Sequence, residues 1–304
     1  METLDSTSSS SSRATDLKPE NLSLGSSPLS PSVARLWRPA AQRNLRNQWP
    51  KLASYRKQWS SFSSAGRSHA TALVNAHLSQ RYMPMMELGV LSDMPDIRKK
   101  ACAKLFKQQE LQRSSLLSSY KDMVVVVIHM INTSRSMRCF LKGTNRSPLL
   151  QFSNCSEDLN DNGDGAGIPV FAFWSISTHE KLAEELIQMF ILELSLKRLL
   201  VVEFVSIGCE VSHGNRLNWS NELYPDEFDH LRKSNLYSDE THEPVFPRLR
   251  ERKSDDSAII SDNHSSPEVL QVYLTAWLAE VNIDTYRVDE IFATVGEEMH
   301  VGIT

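Results

Sequence analysis

The segment from Ile168 to Gly208 reads IPVFAFWSISTHEKLAEELIQMFILELSLKRLLVVEFVSIG, and its reading decides the fold. Ser177 precedes Glu180 by three residues, the spacing at which a hydroxyl and a carboxylate each satisfy an unpaired amide at a helix start, and Gly208 suits the stop. The stretch predicts a capped helix of about 30 residues, ~45 Å long. Leu182, Leu186, Met189 and Phe190 recur at helical spacing, while Leu192 to Val205 is apolar nearly all round. Such a helix is covered on several sides. A membrane span does not fit, because Gln188, Glu193, Lys197, Arg198 and Glu203 interrupt every window of the ~20 apolar residues a bilayer requires. A rival reading makes Val170–Trp174 and Leu199–Ile207 strands flanking a shorter helix, since both runs are rich in β-formers.

Outward from this helix, residues 1–32 are Ser-rich with few apolar side chains. Burial there could not offset the ~1–2 kcal/mol per residue of backbone ordering, so a disordered tail is expected. Ser27-Pro28 and Ser30-Pro31 are minimal proline-directed kinase sites, a common pair in tails. The first ordered helix is expected near Gln48, with Pro50 in its opening turn and Leu52, Tyr55, Trp59 and Phe62 on one face. Gly66 permits a turn, after which Ala70, Leu73, Val74, His77 and Leu78 form a second stripe. Ser92 or Asp93 caps the next helix, with Pro95 in its first turn, and no further Pro or Gly appears until Gly143. That leaves room for a helical arm of about 45 residues, or ~68 Å. The β-branched run Val124 to Ile128 is its weakest helical segment.

Residues 156–167 read as an acidic, flexible loop. Asp158, Asn160, Asn162 and Gly163 reproduce the opening of a calcium-binding loop, but the twelfth position is Pro169 where a bidentate Glu is required. Gly165 and Gly167 lack the Lys-Ser/Thr that completes a phosphate loop. Residues 209–265 read as a mostly mobile polar insertion, in which the isolated Trp219, Tyr224, Phe228 and Phe246 form either a partner-binding motif or a dock onto the chain's own core. Ser265 and Glu268 repeat the capping-box spacing, opening a helix with Leu270, Leu274, Trp277, Leu278 and Val281 as its buried stripe. Asp284 caps a final helix that Gly296 ends.

Charge is unevenly distributed: Val33 to Lys142 holds 19 Lys/Arg against 5 Asp/Glu, and Gly143 to Thr304 holds 12 against 28. Mutual neutralisation within a folded hairpin explains this, because the basic residues are dispersed along helices. The alternative is an acidic or nucleic-acid partner for the basic half. The four cysteines, Cys102, Cys139, Cys155 and Cys209, form no C-x-x-C pair, and reduced thiols in the nucleus or cytoplasm are expected. His69 and His77 lie eight apart, off the i, i+4 spacing of a helical metal pair. There is no nucleophile elbow and no nucleotide fingerprint, and Glu184 and Glu185 diverge by about 100° on a helix, too far for an acid and base pair. No enzyme activity, cofactor or metal is expected.

Three segments carry a family resemblance. Pro169, Phe171 and Trp174, followed by Met189, Phe190, Glu193, Leu194, Leu196, Lys197 and Arg198, resemble the signature of the cyclin-dependent kinase 2-interacting protein family. Trp49, Leu52, Trp59 and Gly66 resemble that family's first helix and turn, and Tyr273, Leu274, Trp277 and Leu278 its C-terminal segment. The departures are a longer N-terminal tail and the long 209–265 insertion. The resemblance implies a non-catalytic helical adaptor: a subunit of an AAA+ ATPase assembly in ribosome maturation and replisome turnover, with a role in DNA replication, the cell cycle and DNA-damage checkpoint signalling. Its implied partners are a helical co-subunit, the AAA+ ATPase, a cyclin-dependent kinase and checkpoint or replication proteins. Its implied location is the nucleus, with the cytoplasm as a second. The competing readings are a mitotic or cytoskeletal coiled-coil interaction protein and an RNA-binding helical protein, direct nucleic-acid binding being the lesser expectation.

The expected architecture is therefore all-α, an elongated bundle of long helices in a coiled-coil-like hairpin, with one helical adaptor domain over 33–304. Trp49, Trp59, Phe171, Trp174, Met189, Phe190 and Trp277 are its expected core anchors. Glu193, Lys197 and Arg198 are its candidate interface, on the argument that neighbouring cations in an apolar helix must reach a carboxylate or water at a packed edge.

Overall fold

The computed structural model describes residues 31–142, 149–151, 162–208, 217–247 and 266–303. Its architecture is all-α. Helix α1 (Pro31–Tyr82) and helix α2 (Ile97–Arg135) form a long antiparallel hairpin, and helix α3 (Ile176–Ser206) packs against both. A short helix α4 (Glu227–Lys233) lies against α2, and helices α5 (Pro267–Ala279) and α6 (Thr285–Met299) lie against α1 and α3. Two small antiparallel pairs complete the described elements: β1 (Phe140–Lys142) with β2 (Leu149–Gln151), and β3 (Tyr237–Ser238) with β4 (Glu243–Pro244). The strand reading of the decisive segment fails. Leu199 to Ser206 is helix, and Val170 closes a turn by donating to the Trp174 carbonyl at 2.8 Å.

The register of the hairpin follows from polar contacts along its seam. At one end the Asn44 amide donates to the Ser136 and Met137 carbonyls at 2.7 and 3.0 Å, and the Trp37 indole donates to the Cys139 carbonyl at 2.9 Å. At the other, Gln109 donates to Gln80 at 2.5 Å. Helix α3 runs parallel to α1, with Trp49 beside His179 and Trp59 edge-on to Phe190, and ends where Arg113 of α2 donates to the Ile207 carbonyl. The run Val124 to Val127 stays helical because its side chains meet these neighbours: Val124, Val126 and Val127 are all buried. By length and composition α2 could cross a bilayer, but the core helix of a soluble protein satisfies the same test, and α2 is packed between α1 and α3.

Helix α1 corrects two sequence-based expectations. It begins at Pro31, seventeen residues before Gln48, and runs through Pro39, Pro50 and Gly66 without a turn. Pro50 lacks the amide that would bond one turn back, a loss of ~3 kcal/mol for an isolated helix. The packed face outweighs it: Trp37, Ala41, Leu45, Trp49 and Leu52 are at or near zero exposure. Gly66 is there for proximity, since a Cβ on it would sit 2.7 Å from the Trp277 ring of α5. Residues 1–30 lie outside the described residues.

The helix ends show the same pattern of right elements with shifted caps. Ser175, two residues before the expected cap, accepts from the Thr178 amide of α3, and Glu180 is drawn away to Arg138. Ser266, one residue after Ser265, caps α5, while Leu278 and Val281 of its expected buried stripe are exposed. Asp284 caps α6 as expected, but Gly296 is inside that helix, where a Cβ would meet the Val301 carbonyl at 2.8 Å. Helix α2 starts at Ile97, after Asp96 in a left-handed conformation, so neither Ser92 nor Asp93 is its cap. The expected acidic loop is described from Asn162 onward. There Gly163 and Gly165 take φ of +68°, and a side chain on either would collide with Phe140 or Trp37 respectively.

The Gly66 contact gives a direct test of packing against propensity. Alanine is favoured over glycine in a helix by ~1 kcal/mol. The Trp277 ring cannot retreat, because it is buried and its indole nitrogen donates to the Ser63 carbonyl at 2.9 Å. Gly66→Ala is therefore expected to destabilise the chain by about 1–3 kcal/mol in urea denaturation. Stabilisation would mean that Trp277 does not pack against Gly66.

Candidate anchoring and interaction site

The residues singled out on α3, Glu193, Lys197 and Arg198, are gathered with partners that the sequence did not indicate. None is at a surface. All three are within 1% of full burial, which corrects the expectation that one of the cations sits at an exposed edge. The reason is that each of the two cations finds its carboxylates inside the chain, 4 to 83 residues away.

Lys197 forms an ion pair with Glu193 one turn earlier at 3.0 Å and lies 3.9 Å from Glu280. Its ammonium also donates to the Trp277 carbonyl and stands 4.7 Å from the centre of the Trp277 ring. The other Glu193 oxygen accepts from the Asn282 amide and side chain at 3.1 and 3.0 Å. Glu280 accepts from the Trp59 indole at 3.2 Å and from Ser63 at 2.5 Å. It occupies the end of α5 with φ of +44°, a conformation that favours Gly or Asn. Here the side chain is used. One cluster thus joins α1, α3, α5 and the turn before α6.

Arg198 points into a second cluster. Its Nε and Nη2 donate to the two oxygens of Glu227 at 2.9 and 3.3 Å, and its Nη1 and Nη2 donate to the Trp219 and Asn221 carbonyls at 2.6 and 2.7 Å. Its guanidinium lies 4.6 Å from the centre of the Trp219 ring. Glu227 is completed by the Tyr120 hydroxyl of α2 at 2.8 Å and the Leu223 amide at 2.7 Å. Burial, and next the Glu227 charge, push the Tyr120 hydroxyl well above its ordinary range, so it stays protonated and donates. Burial pulls the Lys197 ammonium down, while Glu193 and Glu280 pull it back up. The arrangement holds chain segments together, with Glu193, Lys197, Arg198 and Glu227 buried and Glu280 a quarter exposed at the edge.

Residues 217–247 are consequently folded, which corrects the expectation of a mostly mobile insertion. Leu231 and Leu236 are buried, the Trp219 indole donates to the Pro244 carbonyl at 2.7 Å, and Tyr224 packs edge-on to Tyr120. Tyr224 and Phe228 dock on the chain's own core, while Phe246 packs on Trp219 and keeps about half its surface exposed. Residues 209–216 and 248–265 lie outside the described residues.

Among the expected anchors, Trp49, Trp59, Phe171, Phe190 and Trp277 are buried, and Trp174 and Met189 are half-buried against the core. His179 is the unexpected member of this group. It is fully buried inside Trp49, Phe171 and Trp174, and neither ring nitrogen has a hydrogen-bond partner among the described residues. Burial pushes its pKa down to about 4, partly opposed by the nearby Glu298, which itself accepts from the Phe173 and Trp174 amides.

Among the described residues no group of three His, Cys, Asp or Glu side chains gathers to hold a metal. His69 bonds to Gln112 at 2.8 Å, and Cys102 is a half-buried free thiol on α2. An open groove of about 530 Å³ borders the end of α6, lined by Phe292, His300 and Ile303, and a polar one of about 200 Å³ lies between α1 and α2. No protein-family model matches the chain, and no curated protein matches it.

His179 sets a pH dependence. Its folded pKa is depressed from the ordinary 6.5 to about 4, so the unfolded chain binds the extra proton first. Its neutral burial therefore supports folding fully above pH 6.5, and that support declines by about 1.4 kcal/mol per pH unit as the pH falls toward 4. His179→Leu is expected to flatten the stability profile between pH 6.5 and 4 relative to the parent chain. Parallel profiles in chemical denaturation at several pH values would contradict the assignment.

Proposed function

We propose that the protein is a non-catalytic helical adaptor, one that contributes surface to an AAA+ ATPase assembly while the ATPase hydrolyses the nucleotide. The observation that carries this reading is where the three resembling segments meet. Trp59 and Gly66 of α1, Phe190, Glu193 and Lys197 of α3, and Trp277 of α5 all touch at one junction. A family signature made of packing residues has this form when what it preserves is a scaffold. The roles in ribosome maturation, replisome turnover, DNA replication and checkpoint signalling, and the nuclear location, come from the resemblance to the cyclin-dependent kinase 2-interacting protein family. The buried cation clusters support the same reading, since their donors and acceptors are spent on holding elements together.

One consequence separates this proposal from a simpler surface-charge picture. Reversing Lys197 and Arg198 to Glu would crowd unpaired carboxylates into two dry clusters and unfold the chain, so those positions cannot probe a partner. Purification of the full chain by an affinity tag is the appropriate test. A stoichiometric AAA+ subunit is expected to accompany it, and the isolated chain is expected to show no ATPase activity. Recovery of tubulin or kinetochore proteins in place of an ATPase would favour the cytoskeletal reading. ATP hydrolysis by the isolated chain that survives further purification would refute the non-catalytic role.

A further inference from the structure

The α1–α2 hairpin outruns the helix that covers it. Helix α3 stops at Ser206, and Gly208 lies against Gln109 and His77. Beyond that level no residue from 77 to 108 is buried. The end of the hairpin nevertheless has a defined shape. Met83–Met85 and Gly89–Leu91 are 3-10 turns, Ser92 bonds back to the Gly89 carbonyl through both its amide and its hydroxyl, and Arg98 of α2 reaches the Met86 carbonyl at 2.5 Å. Upon it sit large apolar side chains facing solvent, with Val90 94% and Met85 76% exposed and Met86, Leu91 and Met94 beside them in sequence.

Charge identifies what such a surface fits. The first three turns of α2, Ile97 to Gln108, hold Arg98, Lys99, Lys100, Lys104 and Lys107 and no carboxylate. All five are exposed, and no ion pair among the described residues engages them. A second copy packed tip to tip would set these cations against one another, at a cost that like charges impose in any interface. An anionic membrane or a nucleic acid would suit the lysines. It would not suit Glu87, Asp93 and Asp96, exposed carboxylates interleaved with the apolar side chains, which would have to enter a layer of phosphates. A protein helix meets both demands, its apolar stripe on the methionines and valine and its acidic flank along the lysines. Methionine-rich surfaces are suited to such partners because the thioether adapts its shape.

We infer that the tip of the α1–α2 hairpin, Met85 to Met94 with the basic first turns of α2, is the docking surface for an acidic amphipathic helix of a partner protein. This rests on the adaptor reading and specifies where the adaptor holds its partner. The test places a photo-crosslinking amino acid at Val90 in the full chain, expressed in cells, with a second variant carrying it at Leu278 on the exposed side of α5. The adduct at Val90 is expected to map to an acidic segment with helical apolar periodicity in one partner protein. Lys99→Glu, Lys100→Glu and Lys104→Glu together should then lower its yield at least about tenfold, with the melting temperature unchanged because all three side chains are exposed. Adducts at Val90 to lipid, nucleic acid, a second copy or a basic protein segment would overturn the inference. So would the absence of any adduct there: protein adducts at Leu278 would then leave the adaptor reading standing, and none at either position would count against both.

Discussion

Two cations at successive positions of a helix diverge by about 100°, so Lys197 and Arg198 cannot share one partner, and burying both requires carboxylates brought from two directions. The chain supplies them from two sides of α3. Lys197 collects Glu193, Glu280 and the Trp277 carbonyl, fixing α5 and the turn before α6. Arg198 collects Glu227 and the carbonyls of Trp219 and Asn221, fixing the 217–247 segment. With α1 and α2 covering the rest, α3 has neighbours all round from Glu193 to Val205. That is the physical meaning of its apolar sequence there, and of the two cations within it that never reach water.

Such clusters are a weak source of net stability and a strong source of specificity, because a wrong arrangement leaves a buried charge unmatched. The aromatics act in the same sense through shape. Trp277 fits only where Gly66 has no side chain, and Trp37 only where Gly165 has none. Glu280 accepts a left-handed backbone at the end of α5 so that its carboxylate can receive Trp59, Ser63 and Lys197. Packing also overrides local preference along α1, where two prolines inside 52 helical residues are carried by a continuous buried face.

The long helices are legible in the sequence because period and apolar content agree over many turns, and the β-branched run at Val124 reads as helix from its length and setting. What is not legible depends on residues far apart. Gly66 and Pro50 have local meanings, a turn and a helix start, that only the approach of Trp277 and the packing of Trp49 and Leu52 overturn. Glu227 stands 29 positions after Arg198 in a polar stretch with no periodicity, and nothing in its neighbourhood marks it as the buried counterion. Lys197 and Arg198 stand out in the sequence as cations needing partners. Placing those partners on another molecule fails, since a sequence shows a demand for charge but not where the chain itself meets it.

The enclosure of α3 depends on the clamp between Arg198 and Glu227, and a double-mutant cycle in chemical denaturation measures it most directly. Removing one member strands the other in a dry site, so Arg198→Met alone and Glu227→Gln alone are each expected to cost about 3–5 kcal/mol. The double variant should cost distinctly less than the sum, with a coupling of roughly 1–3 kcal/mol. Single losses under ~1 kcal/mol that add without coupling would mean that both groups reach water, and that α3 is not the enclosed spine of the fold.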